Sequence, residues 1–147
     1  MIKSIHKVIF SITFSCFLLT ACAPVGVLVK KGDVEALSDS IWHYGLSHPE
    51  GFTIDIRTMT EPVEGIAVSY SATQGCHSRN KLGRVVKHSM RHDGYVGGWF
   101  DAADSLYYFD STRIFPKDSI DAAKKFGLEN GQKAIFDITE KKEIRLN

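Results

Sequence analysis

The chain is poor in cysteine, and two of its three cysteines fall within the first 22 residues. Beyond Cys22 only Cys76 remains. No acidic residue occurs before Asp33. The chain has no Gly-rich phosphate loop, no Ser nucleophile elbow and no dinucleotide fingerprint, which removes the usual sequence signs of nucleotide and hydrolase chemistry. It has no internal repeat and no low-complexity tract. It also has no excess of charge of one sign: 18 Lys and Arg stand against 17 Asp and Glu. Nothing therefore draws it to nucleic acid by its overall field, and no nucleic-acid partner is expected. An apolar content of 44% excludes a disordered chain.

What is present begins with the N-terminal stretch. Met1 to Lys7 carries Lys3 and Lys7. Val8 to Leu19 is dominated by apolar residues, and Thr20-Ala21-Cys22 follows. This is the basic, apolar, small-residue order of a secretory signal. The apolar run is about a dozen residues, whereas a bilayer core needs roughly 20 helical residues to be crossed. It also lacks the amphipathic period of a surface helix.

Leu19-Thr20-Ala21-Cys22 resembles the lipobox of bacterial lipoproteins, and the resemblance covers residues 1–22. It implies cleavage before Cys22, a diacylglycerol on the Cys22 thiol and usually acylation of the freed amine. Each buried methylene of such chains adds about 0.8 kcal/mol, so two or three chains anchor stably. The implied organisation is a signal peptide over 1–21, a lipid-proximal tether over 22–32 and one globular domain over 33–147. Val27 to Val29 could instead form an edge strand. The implied location is the cell envelope. Ala23 after the cysteine fits the outer membrane where the host has two. Loss of Lys3 and Lys7 with the signal leaves sixteen basic residues against seventeen acidic, a slightly acidic mature chain. Cys76 is then the one thiol in an oxidising setting, no internal disulfide can form, and the fold must rely on its core.

Hydropathy periods in the mature chain alternate between helix and strand. Val34, Leu37, Ile41 and Tyr44 recur at helical spacing after Asp33, a plausible N-cap, and the helix should end before His48-Pro49. Phe52-Ile54-Ile56 and Ile66-Val68-Tyr70 alternate as strands that can pair as a hairpin. A second helix runs from Asn80 with Leu82, Val85, Val86, Ser89 and Met90 inward, stopped at Gly94. Tyr95–Phe100 and Ser105–Phe115 read as an aromatic hairpin, with Gly97-Gly98 marking a bulge or a close backbone approach. A third helix with Ile120, Ala123 and Phe126 or Gly127 inward, a strand through Ala134, Phe136 and Ile138, and a short last strand complete the chain. The order α-β-β-α-β-β-α-β-β predicts an α+β fold with an antiparallel or mixed sheet of about six strands and helices on one face.

Several side-chain groups invite a chemical role. His88 and His92 stand four apart on the second helix and could grip a metal with Cys76. The residue after His88 is Ser89, not the Glu of a metalloprotease helix, and solvated helix histidines are the plainer reading of the spacing. Cys76 precedes a basic helix and, with His77 or His92, would make a nucleophile and base, although nothing singles out an orienting group. A buried side chain is the plainer use of a lone cysteine. Asp101, Asp104 and Asp110 could serve hydrolysis or calcium, or simply form a turn. Tyr95, Trp99 and Tyr107 could present a binding surface if one face of the sheet is left open. Arg79, Lys81, Arg84, Lys87 and Arg91 give the second helix a basic side that suits anionic lipid, a partner or water.

The sequence thus favours a membrane-anchored envelope lipoprotein with a non-catalytic binding domain and no cofactor. Its partners would be the bilayer, through Cys22, and an envelope protein, peptide or glycan. A small Cys76 enzyme and an immunity or exclusion lipoprotein are the alternatives. Replacing Cys22 with Ala is expected to abolish labelling by radioactive palmitate; unchanged labelling would refute lipidation at this residue.

Overall fold

The computed structural model describes residues 31–146. The signal, Cys22, the 27–29 stretch and all of the tether up to residue 30 lie outside these described residues. Three helices and six strands follow in the predicted order: α1 (Lys31–Ser47), β1 (Phe52–Asp55), β2 (Ile66–Ser69), α2 (Arg79–Arg91), β3 (Tyr95–Asp101), β4 (Leu106–Phe115), α3 (Ile120–Glu129), β5 (Ala134–Asp137) and β6 (Lys142–Arg145). The strands form one sheet in the order β1-β3-β4-β2-β5-β6, and every pair is antiparallel. Among the described residues no helix is long and apolar enough to cross a membrane.

The centre of the sheet is the β3–β4 hairpin, paired without a break from Tyr95↔Thr112 to Asp101↔Leu106. Its continuity excludes a bulge at Gly97-Gly98 and leaves the close approach. A Cβ on Gly98 would lie 2.4 Å from the Phe52 ring and 2.9 Å from the Tyr107 ring. Glycine is thus required where these two aromatic rings close over the strand.

β1 and β2 do not pair with each other. β1 pairs with the outer edge of β3, and β2 with the outer edge of β4. The physical reason is the ten-residue connection 56–65, long enough to carry the chain across the hairpin. Each short strand gains a partner longer than itself. At the far end, β6 pairs with β5 from Ala134↔Arg145 to Asp137↔Lys142.

Side-chain alternation then sorts the two faces. Val96, Gly98, Phe109, Ile54 and Val68 point to the face that carries all three helices. Helices α1 and α2 cover β1, β3 and β4 with Val34, Ile41, Leu82, Val85 and Val86 over Ile54, Val96 and Phe109. Helix α3 covers the other half, with Ala123 against Ile66, Val68, Phe115 and Ile135. Each large apolar side chain buried here contributes about 1.5–3 kcal/mol.

Local signals set the helix ends. Helix α1 begins at Lys31, so Asp33 lies in its first turn rather than at the cap, where a carboxylate favours the positive end of the helix dipole. It stops before Pro49 as expected. Helix α2 stops where Gly94 takes φ +80° and its N–H reaches the Ser89 carbonyl at 3.0 Å, a left-handed stop suited to glycine. Met90, expected inward, is exposed: it sits one residue past buried Ser89 and has rotated off the core face.

Gly98→Ala should therefore destabilise the fold by about 1–3 kcal/mol through overpacking. The urea midpoint measures this, and a midpoint equal to that of the unsubstituted chain would contradict the packing described.

Candidate functional site

Residues 70–78 run along the edge of β4 that β2 leaves unpaired. The Tyr70 N–H donates to the Ser111 carbonyl at 2.9 Å, the Ser111 N–H to Thr73 Oγ1 at 2.9 Å and the Phe109 N–H to the Cys76 carbonyl at 2.8 Å. This edge pairing drives Cys76 into the core, where it is 0% exposed. Its thiol lies 3.9 Å from the Ser78 carbonyl, and burial pushes its pKa up. Enclosure thus opposes a nucleophilic thiolate, and the Ser78 backbone and the Arg84 charge offset it only in part. His77 turns away to meet Tyr108 edge-on at 5.8 Å. His92 lies on the last turn side of α2, stacked on His88. The candidate set Cys76, His77 and His92 is thus dispersed over core, hairpin and helix end.

His88 and His92 do meet. Their rings stack at 3.8 Å with 19° between planes. His92 Nδ1 faces the His88 carbonyl at 3.0 Å, and His88 Nδ1 faces Ser111 Oγ at 2.9 Å. Parallel rings direct their remaining nitrogens side by side rather than at one point. Among the described residues no group of three His, Cys, Asp or Glu could hold a metal ion, so the metal set of Cys76, His88 and His92 is not assembled. The Ser111–His88 pair offers no nucleophile either, because Ser111 is 0% exposed.

Around the stacked imidazoles lies a polar seam between the two halves of the core. The Tyr70 ring meets His88, His92 and Phe126 edge-on. Its hydroxyl donates to Asp93, which also sits 3.8 Å from Arg113. Burial and the Asp93 carboxylate push Tyr70 up to about 12. Burial and the neighbouring His92 charge lower His88. The seam joins α2 to α3, and its groups are engaged with one another.

The aromatic hairpin is different. Its register pairs Trp99 with Tyr108 and Phe100 with Tyr107. Tyr107 therefore points to the helix face, donates its hydroxyl to the His48 carbonyl at 2.8 Å and packs against the core. This corrects the grouping of Tyr95, Trp99 and Tyr107 as one surface: Tyr108 is the residue beside Trp99. Antiparallel alternation makes the choice between adjacent tyrosines, and it depends on the register.

On the face away from the helices, Trp99 is 44% exposed and stacks on Tyr108 at 5.1 Å with 23° between planes. The Trp99 indole N–H donates to Asp110 Oδ2 at 3.3 Å, and the Tyr108 hydroxyl donates to Asp104 Oδ2 at 2.5 Å. Two carboxylates thus hold two rings in place. Leu106 is exposed beside them at the hairpin end, whereas Phe100, paired with Tyr107, is exposed there on the helix face. Tyr95 lies on the same face at its other end, beneath the Arg57 guanidinium at 6.0 Å.

No family model, curated protein or solved structure matches the chain. The site therefore rests on its own geometry.

Asp110 is nearly enclosed, and its Oδ1 has no hydrogen-bond partner among the described residues. Burial raises it to about 6, against the lowering effects of the Trp99 N–H, the Arg84 charge and the Thr73 hydroxyl. Asp101 and Asp104 serve the turn, accepting from the N–H groups of Ala103 and Leu106. On the basic side of α2, Arg84 donates to the carbonyls of Thr73 and Gln74 and so ties down the 70–78 segment. Arg79 pairs with Asp39. A shallow depression of ≈ 390 Å³ lies there between Gln74, Gly75, Asn80, Lys81 and Arg84.

The raised Asp110 value makes a signed prediction. The folded state holds this proton more tightly than the unfolded chain, so the contribution is complete below about pH 3.8 and is lost as pH rises through about 6. Asp110→Asn should be more stabilising at pH 7.5 than at pH 4 by on the order of 2–3 kcal/mol. Urea unfolding at both values measures the difference; the same gap at each pH would exclude a buried, proton-hungry carboxyl.

Proposed function

We propose that this chain is a lipid-anchored envelope protein whose domain binds a partner through the open face of the β3–β4 hairpin, without catalysis. The carrying observation is the Trp99–Tyr108 stack, exposed to solvent yet held from beneath by Asp110 and from the side by Asp104. A large aromatic surface that is already ordered loses little conformational entropy on binding. Trp and Tyr are also the residues that most often dominate binding energy at interfaces.

Two further observations support the reading. All three helices lie on the opposite face, so none of them covers this one. The candidate nucleophile Cys76 is enclosed in the core and apart from the paired histidines. Anchoring through Cys22 rests on the signal-like sequence alone.

The test is retention of envelope components by the full chain immobilised on a support. Trp99→Ala and Tyr108→Ala should each lower recovery at least tenfold, in line with a loss of about 2 kcal/mol at an interface centre. Leu128→Ala is the control: it removes an exposed apolar side chain on α3 and should leave recovery unchanged. Equal recovery by the Trp99 and Leu128 variants, with both folded, would overturn the proposal.

A further inference from the structure

Two places in this fold set an arginine of the chain between a carboxylate and an aromatic ring. At Tyr95, Asp55 holds Arg57 through Nε at 2.8 Å, and the guanidinium lies over the Tyr95 ring at 6.0 Å. At Tyr70, the hydroxyl bonds Asp93, and Arg113 stands 3.8 Å from that carboxylate while lying over Phe115 and Phe126 at 4.9 and 5.5 Å. Each of these two sites is completed by an arginine of the chain itself. A guanidinium gains from both neighbours, because the ring face and the carboxylate are both negative.

Rings and carboxylates also stand together at Tyr108 with Asp104, enlarged by Trp99 and Asp110. No described salt bridge involves Asp101, Asp104 or Asp110. No described cation lies over the Trp99 or Tyr108 ring. His77 meets Tyr108 at 5.8 Å with 73° between planes, and Trp99 is 44% exposed. Asp104 is held ionised by the Tyr108 hydroxyl and the Leu106 N–H. Asp110 adds a carboxylate oxygen with no partner, nearly enclosed on the same face. Arg84 acts on Asp110 from the α2 side, but no described arginine lies over the Trp99 or Tyr108 ring.

We infer that the Trp99–Tyr108 face receives an arginine or lysine side chain of a partner protein, which completes the site as Arg57 completes Tyr95. This rests on the hairpin face being the binding surface. A neutral glycan would use the rings but gain little from the acidic flank, and an anionic lipid headgroup would be repelled by Asp101 and Asp104. A cation gains from both.

The experiment uses the full chain carrying Trp42→Phe, so that fluorescence reports Trp99 alone. The probes are a Gly-Arg-Gly-Arg-Gly peptide, its Gly-Glu-Gly-Glu-Gly counterpart, cellotetraose, and vesicles containing phosphatidylglycerol. The arginine peptide should shift Trp99 emission and saturate, and its affinity should fall as salt rises. Asp104→Asn should weaken it at least fivefold, whereas Asp121→Asn, an exposed acid on α3, should leave it unchanged. Stronger binding of the glutamate peptide, cellotetraose or vesicles would overturn the inference. So would equal loss in the Asp104 and Asp121 variants, which would mean diffuse charge attraction. If Trp99→Ala abolishes retention of envelope components while the arginine peptide fails to bind, the cationic partner is wrong and the binding face stands. If Trp99→Ala leaves retention of envelope components unchanged and the arginine peptide does not shift Trp99 emission in the Trp42→Phe chain, both fall.

Discussion

The unbroken pairing of β3 with β4 is the constraint on which the rest of the structure depends. Seven residues of β3 face seven of β4 in one register. That register places Val96 and Phe109 together against α1 and α2. It also offers one free edge to β1 and another to β2. A slip of one residue would send Phe109 to the open face and Asp110 into the core, exchanging an apolar burial for a buried charge. The hairpin therefore has one favourable arrangement, and the outer strands add to it.

The core this produces is divided. One part lies under α1 and α2, the other under α3, and the seam of Tyr70, His88, His92, Asp93, Ser111 and Arg113 runs between them. Polar groups at such a position must satisfy each other, since water reaches them only in part. They do so in a chain: Ser111 to His88, His88 to His92 through the backbone carbonyl, and Tyr70 to Asp93 beside Arg113. The histidines that sequence spacing offered as metal ligands are used here to join two halves of a fold. The 70–78 segment has a comparable duty. It closes the open edge of β4 with backbone hydrogen bonds, and Cys76 is the side chain that this closure buries.

Much of the architecture was legible in the hydropathy pattern. Helices at Val34–Tyr44 and Leu82–Ser89 and the alternation of Tyr95–Phe100 announce their elements, because a single period decides each one. The close approach at Gly97-Gly98 was legible too, since only a missing side chain makes room for Phe52 and Tyr107. The pairing of β1 with β2 was misread, because local alternation says that a strand exists and nothing about its neighbour. Met90 was misread for a related reason: it stands at the margin of the apolar stripe, where one residue of helical rotation separates core from solvent.

For the binding face, the sequence determined its composition. Six aromatic residues, two glycines and three aspartates between Tyr95 and Asp110 are properties of the chain. It also determined the signal-like N-terminus with Cys22, which depends on contiguous residues only. Tertiary structure decided which aromatics share a side, which carboxylate holds which ring, and that Cys76 is enclosed. Adjacent Tyr107 and Tyr108 have nearly identical local surroundings in sequence. Their fates differ because side chains alternate across a strand and the register with β3 fixes the phase of that alternation. That phase is set by contacts between residues up to 17 positions apart, which no local pattern contains.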